Sequence, residues 1–164
     1  MFRLSPETAA DWHEVENLFD TAFAPGREAL SSYRLRDGVA PIAALSVVAR
    51  DSTDGIAGAI RYWPVLVGQA DQAALLLGPV AVHPTHQGEG LGGALIFDTL
   101  ERARGLGWGA VILVGDAPYY GRFGFQKAAH LDFPPPTNPE RILWLPLAKE
   151  PEIAGLVRRW DRPQ

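Results

Sequence analysis

The sequence predicts an α/β protein (α+β by some schemes) with a central mixed, mostly antiparallel sheet flanked by helices. Three observations carry this. First, the apolar runs 75–77 and 80–82 lead into a glycine-rich loop and then a stretch of helical period reaching Leu106. Second, two strand-like runs, 43–50 and 56–67, flank the turn cluster Asp51-Ser52-Thr53-Asp54-Gly55, and residues 68–71 turn the chain into the Leu75 strand. These three make an antiparallel meander. Third, residues 110–115 form a short apolar strand reached through the helix, a crossover that sets it parallel to the Leu75 strand.

Each element has its own signal. Residues 1–4 are expected as a short first strand. Ser5-Pro6 reads as a cap followed by a first-turn proline. Trp12, Val15, Phe19, Ala22 and Phe23 then recur at helical spacing until Ala24-Pro25-Gly26 breaks the pattern. A second helix is expected over residues 27–37, stopped by Gly38. Within the meander, the pair Tyr62-Trp63 is read as packing before pocket lining. Gly78-Pro79 interrupts the Leu75 strand. A proline inside a central strand marks a bulge or the end of pairing, so the strand should kink there and its neighbour splay away.

In the helix after the loop, Leu95, Ile96, Thr99, Leu100, Ala103 and Leu106 share one side. Asp98, Glu101, Arg102 and Arg104 share the other. Residues 105–109 end it. Asp116-Ala117-Pro118 turns into one or two helical turns carrying Tyr119 and Tyr120. Residues 126–129 are expected as a strand, 130–140 as a proline-rich loop, 142–147 as a last strand and 152–160 as a short amphipathic helix.

Composition narrows the classes. A chain of 164 residues, 47% hydrophobic, is expected to be one domain, residues 1–164, with a substantial core. A net charge of −4 leaves no footprint for nucleic acid. No apolar run approaches the roughly 20 residues of a membrane helix, and the N-terminal stretch has no signal-peptide core. With no cysteine there is no disulfide, thiolate nucleophile or cysteine-ligated zinc. A cytoplasmic protein without nucleic-acid or membrane partners is expected. No metal is expected either, since His83 and His86 lie in one loop without a clear third ligand.

The loop Gln87-Gly88-Glu89-Gly90-Leu91-Gly92-Gly93 points to an anion. A helix N-terminus offers unpaired backbone N–H groups and the positive end of a dipole. Glycines there remove the Cβ atoms that would hold a phosphate away. No G-K-[ST] ending follows, so the natural ligand is a pyrophosphate held mainly by backbone. The plainer alternative is a turn that only packs helix on strand. Gly88, Gly90 and Gly93 also satisfy G-x-G-x-x-G, and Asp116 stands about where a ribose-binding acid would. Against a dinucleotide fold, residues 83–87 separate strand from first glycine, and residues 94–164 hold too few βα units.

Gln87-x-x-Gly90-x-Gly92 resembles the Q/R-x-x-G-x-G/A loop of the GNAT superfamily of acyl-CoA N-acyltransferases. The preceding Val80-Ala81-Val82-His83-Pro84 resembles the strand that family lays along the pantetheine arm of CoA. Tyr120-Gly121-Arg122-Phe123-Gly124-Phe125 resembles its Y-x-[KR]-x-G-F segment. The three occur in the right order and spacing, between Leu75 and Phe125. The resemblance implies a GNAT-like fold and acetyl-CoA-dependent transfer to a primary amine of a small molecule or peptide, with a homodimer possible. Val80, Ala81, Val82, Gln87, Gly88, Glu89, Gly90, Leu91, Gly92 and Gly93 would hold acetyl-CoA. A non-catalytic CoA-binding regulatory module and a dinucleotide-binding oxidoreductase are the alternatives.

The reaction needs alignment of thioester and amine, a donor for the oxyanion and a proton for the leaving thiolate. Backbone N–H groups around Val80 are the oxyanion candidates, freed by the expected bulge. Tyr120, four residues before Gly124, stands where the family places the tyrosine facing the CoA sulfur, with Tyr119 as rival. Asp116, Glu89, His83, His86 and a water relay all remain open as general base. Tyr33, Arg34 and Arg36 lie where the family shapes its acceptor pocket, although a solvated helix face is the simpler account of any one of them.

Overall fold

The computed structural model describes residues 2–22, 31–149 and 153–163. Nine strands occur among them: β1 (Arg3–Pro6), β2 (Val47–Arg50), β3 (Ile56–Val67), β4 (Gln72–Val82), β5 (Ala110–Val114), β6 (Gln126–Lys127), β7 (Leu131–Asp132), β8 (Ile142–Pro146) and β9 (Gly155–Arg159). The helices are α1 (Trp12–Ala22), α2 (Ser31–Arg34), α3 (Leu91–Gly105) and α4 (Ala117–Gly121). The main sheet runs β1-β2-β3-β4-β5-β8-β6, and β9 pairs with the far end of β3 and with β7. Along that order every neighbouring pair is antiparallel except β4–β5. The expected mixed, mostly antiparallel sheet is therefore the observed one.

Helices cover both faces. Leu95, Ile96, Leu100 and Ala103 of α3 pack with Ile60, Tyr62, Leu75 and Leu77. Thr99 is buried with them, and its hydroxyl lies 2.7 Å from that of Tyr62, so the one polar pair in this layer is satisfied internally. Leu106, expected on the same side, is instead exposed where the helix ends. On the opposite face, Val15, Leu18 and Phe19 of α1 pack on Val48, Ala59 and Ala81. No helix of the described residues is long and apolar enough to cross a membrane.

Several boundaries differ from expectation. Ser5 and Pro6 belong to β1, because pairing with Val48 and Val47 continues through them. The cap is Thr8, whose N–H and hydroxyl both donate to the Asp11 carboxylate, at 2.8 and 3.0 Å. A 3-10 turn (Ala9–Asp11) then leads into α1. Residues 23–30 lie outside the described residues, and with them Phe23, the Ala24-Pro25-Gly26 break and the start of the second helix. What is described of that helix is only α2, and Gly38 follows with a left-handed φ of 72°. The first part of the expected 43–50 strand is a 3-10 turn (Ala43–Leu45). The expected 126–129 strand is only β6, and β7 lies in the proline-rich stretch.

The largest correction is at the C-terminal end. Residues 153–160 are not helical; Gly155–Arg159 is a strand. Ile153, Val157 and Trp160 fall at i, i+4 and i+7, which imitates a helix face. Open backbone at the end of β3 decides otherwise: Val65, Leu66 and Val67 pair with Arg159, Arg158 and Val157.

Candidate active site

The site begins with a defect in β4. In the β3–β4 ladder Ile60 faces Val80 and Tyr62 faces Leu77, so Arg61 alone opposes both Gly78 and Pro79. That is a β-bulge, made where proline has no N–H to give the ladder. A Cβ on Gly78 would sit 2.4 Å from the Trp63 ring, so glycine is what lets the indole cover the bulge. The Trp63 indole N–H is satisfied by the Val39 carbonyl at 3.0 Å.

Beyond the bulge the sheet opens. β4 and β5 pair only at Leu75–Val111 and Leu76–Ile112, after which β4 runs on to Val82 and β5 to Val114 apart. The expected kink and splay are both present. The wedge opens the β4 edge at Val80 and Val82, whose backbone groups point away from β3, while those of Ala81 face Ala59.

The loop after β4 reaches α3 through a 3-10 turn (Pro84–His86). Gly88 and Gly90 have φ of 86° and 75°, a region costly for any residue with a Cβ. Gly90 is the N-cap of α3, so the first N–H groups of the helix are left without intrahelical partners. They face a cleft of about 640 Å³ lined by Val82, His86, Gln87, the loop glycines, Leu91, Phe97, Tyr119, Arg122 and Phe123. That lining contains an arginine and a histidine and no carboxylate. Glu89 is turned aside: its carboxylate lies 3.1 Å from His86 Nδ1, while His86 Nε2 lies 3.4 Å from Asp51. Asp51 itself is held down to about 2, first by the hydroxyl and N–H of Thr53.

The two tyrosines of α4 separate. Asp116 caps this helix, its carboxylate accepting the Tyr119 N–H at 3.0 Å, and it is not among the residues lining the cleft. Tyr119 lines the cleft, its hydroxyl 3.2 Å from where a Cβ on Gly92 would lie. Tyr120 points inward. Its ring lies so close to Gly115 that a Cβ there would meet it at 2.7 Å, and it packs edge-on against Tyr119 and Phe125. Burial, and then Tyr119 beside it, pushes its phenol up to about 12. Its hydroxyl makes no hydrogen bond among the described residues.

A second cavity, about 530 Å³, reaches Pro79 of the bulge and is lined also by Glu7, Trp12, Glu16, Tyr33, Arg36, Arg61 and Trp63. Arg61 and Trp63 come from the β3 face turned toward α1. Tyr33 and Arg36 thus line a pocket, with the Arg36 guanidinium 3.6 Å from the Tyr33 ring and 4.2 Å from that of Trp63, whereas Arg34 does not. Arg61 is 6% exposed. Its Nε and Nη2 donate to both oxygens of Glu7 at 2.9 and 2.8 Å, and Nη1 donates to Glu16 at 2.5 Å. Sequence reasoning missed this trio. Its one signal was an arginine in the middle of an otherwise apolar strand.

The acetyltransferase (GNAT) domain family matches residues 3–128. A protein of Escherichia coli K12 named as an uncharacterized N-acetyltransferase, YhbS, is 32% identical over 127 residues, covering 77% of this chain and 74% of that one. The crystal structure of E. coli YhbS in complex with CoA superposes with a TM-score of 0.83 at 28% identity, covering 98% of this chain and 90% of that one. A GNAT family acetyltransferase from Brucella melitensis in complex with acetyl-CoA gives 0.73 at 28% identity, covering 98% and 97%. Bulge, wedge, glycine loop and these likenesses agree: the chain belongs to the GNAT family of N-acetyltransferases.

Proposed function

We propose that this protein transfers an acetyl group from acetyl-CoA directly to a primary amine of a small molecule or peptide. One observation carries the reading. The open β4 edge at Val80–Val82 runs straight into a carboxylate-free cleft over the glycine loop. A pantetheine arm with amide groups fits the first, and a pyrophosphate fits the second.

The roles follow from that pose. Backbone groups of Val80 and Val82 hold the pantetheine amides, with Ala81 between them fixed to β3. The N–H groups of residues 88–93 hold the pyrophosphate, with Gln87 at the entrance. The amine enters through the Pro79 cavity and attacks the thioester carbon. A freed N–H near Val80 stabilises the oxyanion. As the C–S bond breaks, Tyr120 gives its proton to the thiolate and recovers one from solvent. A phenol held near 12 is fully protonated at neutral pH, as a donor must be. The amine proton leaves through water. Glu7 lines the Pro79 cavity, but both its oxygens accept from Arg61.

Release of CoA tests this directly. The chain has no cysteine, so a thiol reagent sees only product. Thiol that appears only when both acetyl-CoA and an amine are present supports transfer. CoA that binds while no amine in a broad panel releases thiol would instead mark a regulatory module, and NADH binding without CoA binding an oxidoreductase.

A further inference from the structure

The bulge that opens β4 is covered on the side facing α1. The Trp63 ring lies over Gly78 so closely that a Cβ there would meet two of its carbons at 2.4 and 2.9 Å. Three contacts hold the indole. Its N–H donates to the Val39 carbonyl at 3.0 Å, the Arg36 guanidinium lies 4.2 Å from the centre of its ring, and its backbone position pairs with Leu76. Trp63 is 6% exposed and still lines the cavity that reaches Pro79. A side chain so large and so enclosed is a fixed wall, since packed interiors yield little to an intruding atom. Its neighbour Tyr62 points to the other face of the sheet and packs under α3, so Trp63 is the member of the aromatic pair that reaches the bulge.

In the pose above, the pantetheine arm runs along β4 from Val82 to Val80, and the thioester carbonyl meets an N–H near Val80. Gly78 lies two residues further on, ~7 Å along extended backbone. The acyl chain therefore heads into the bulge and toward the indole that covers it. Resting on the acyl-CoA reading, we infer that Trp63 sets the length of the acyl group: it closes the far end of the acyl site, which takes an acetyl group and rejects a butyryl group. The way past the indole, at Pro79, opens into the cavity through which the amine enters, so a longer chain would stand in the acceptor's place. The chemistry does not discriminate. For any acyl group the amine nitrogen bonds to the acyl carbon, the C–S bond breaks and the thiolate takes up a proton, so selection falls to space. Against a rigid apolar wall, a misfit of one methylene is worth about 10- to 200-fold. Gly78 belongs to the same device, because a side chain there would drive the indole off the bulge.

Calorimetry with CoA, acetyl-CoA and butyryl-CoA, on the parent, Trp63→Phe and Trp63→Ala, tests the wall without an acceptor. The parent should bind acetyl-CoA at least about tenfold more tightly than butyryl-CoA. Trp63→Ala should abolish or reverse that preference, because the vacated space takes the longer chain. Trp63→Phe should move the ratio the same way by about threefold. The ratio is the deciding quantity, since a general loosening of the fold would weaken both thioesters alike. CoA has no acyl group and reports integrity, so if Trp63→Ala does not bind it, the Trp63→Phe ratio decides. Equal affinity of the parent for acetyl-CoA and butyryl-CoA, or a ratio unchanged in a variant that binds CoA, overturns the inference. A parent that binds none of the three ligands overturns the acyl-CoA reading itself, a different result.

Discussion

Tyr119 and Tyr120 are both partly buried and differ in placement: the first lines the cleft, and the second packs against Gly115 and Phe125. Tyr120→Phe removes only the hydroxyl from a packed ring. The expected outcome is a kcat lower by about 10², with CoA affinity little changed, because the lost interaction belongs to the transition state. Tyr119→Phe should be milder in kcat. Steady-state rates beside binding isotherms separate the two. Because burial holds the Tyr120 phenol near 12, its ionisation should not appear in the pH–rate profile between pH 6 and 10. A fall in that range that disappears in Tyr120→Phe would assign the titration to it and end the argument from burial. Gly90 gives a sharper case. Its φ of 75° and its place at the helix N-terminus make Gly90→Asp wrong in both conformation and charge. Acetyl-CoA binding should fall at least tenfold, read by calorimetry. At this scale the sequence was largely readable, since glycines, proline and the aromatic pair announce backbone needs that local rules decode. Glu7, Glu16 and Arg61 were not readable. Their meeting depends on residues 45 and 54 positions apart being folded against each other.

Among the elements, β4 carries the site. Val82→Pro takes an N–H from the open edge near the mouth of the cleft, whereas Val80→Ile changes only a side chain. Circular dichroism should show both variants folded. CoA affinity should drop about tenfold in the first and stay within about twofold in the second. Equal affinities would mean that the β4 backbone does not hold the pantetheine arm. The bulge that opens this edge was legible from Gly78-Pro79 alone, because proline cannot join a central ladder. β9 shows the opposite case. A short segment with apolar residues at both period-2 and period-3.6 spacing has no preferred state until it meets a partner. The unpaired end of β3 supplied one. The same explains Ser5-Pro6, where a cap-like dipeptide was drawn into β1 by the edge of β2.

Across the whole molecule, the Arg61 trio ties the segment after β1, α1 and the middle of β3 together beneath the Pro79 cavity. Arg61→Met keeps bulk and removes the charge that answers two carboxylates. Leaving the nearly buried Glu7 carboxylate without it should cost about 3 kcal/mol, a fall in Tm of roughly 10 °C for a chain this size. Differential scanning calorimetry checks the number. Adding Glu7→Gln should return part of the loss, since it removes the charge that Arg61 answers at both carboxylate oxygens. No such recovery would mean that Arg61 stabilises by packing alone.

The joint between β4 and β5, two rungs wide, bears on how long the protein lasts. A sheet normally satisfies its own interior edges. Here β4 and β5 pair at two positions only, so beyond Leu76 the seam between them is unfinished. Amides of Val80 and Val82 should exchange with deuterium far faster than those of Leu75 and Leu76 in the same strand, and CoA should slow them selectively. Cosubstrate supply would then set not only how fast the protein works but how readily a protease finds it open.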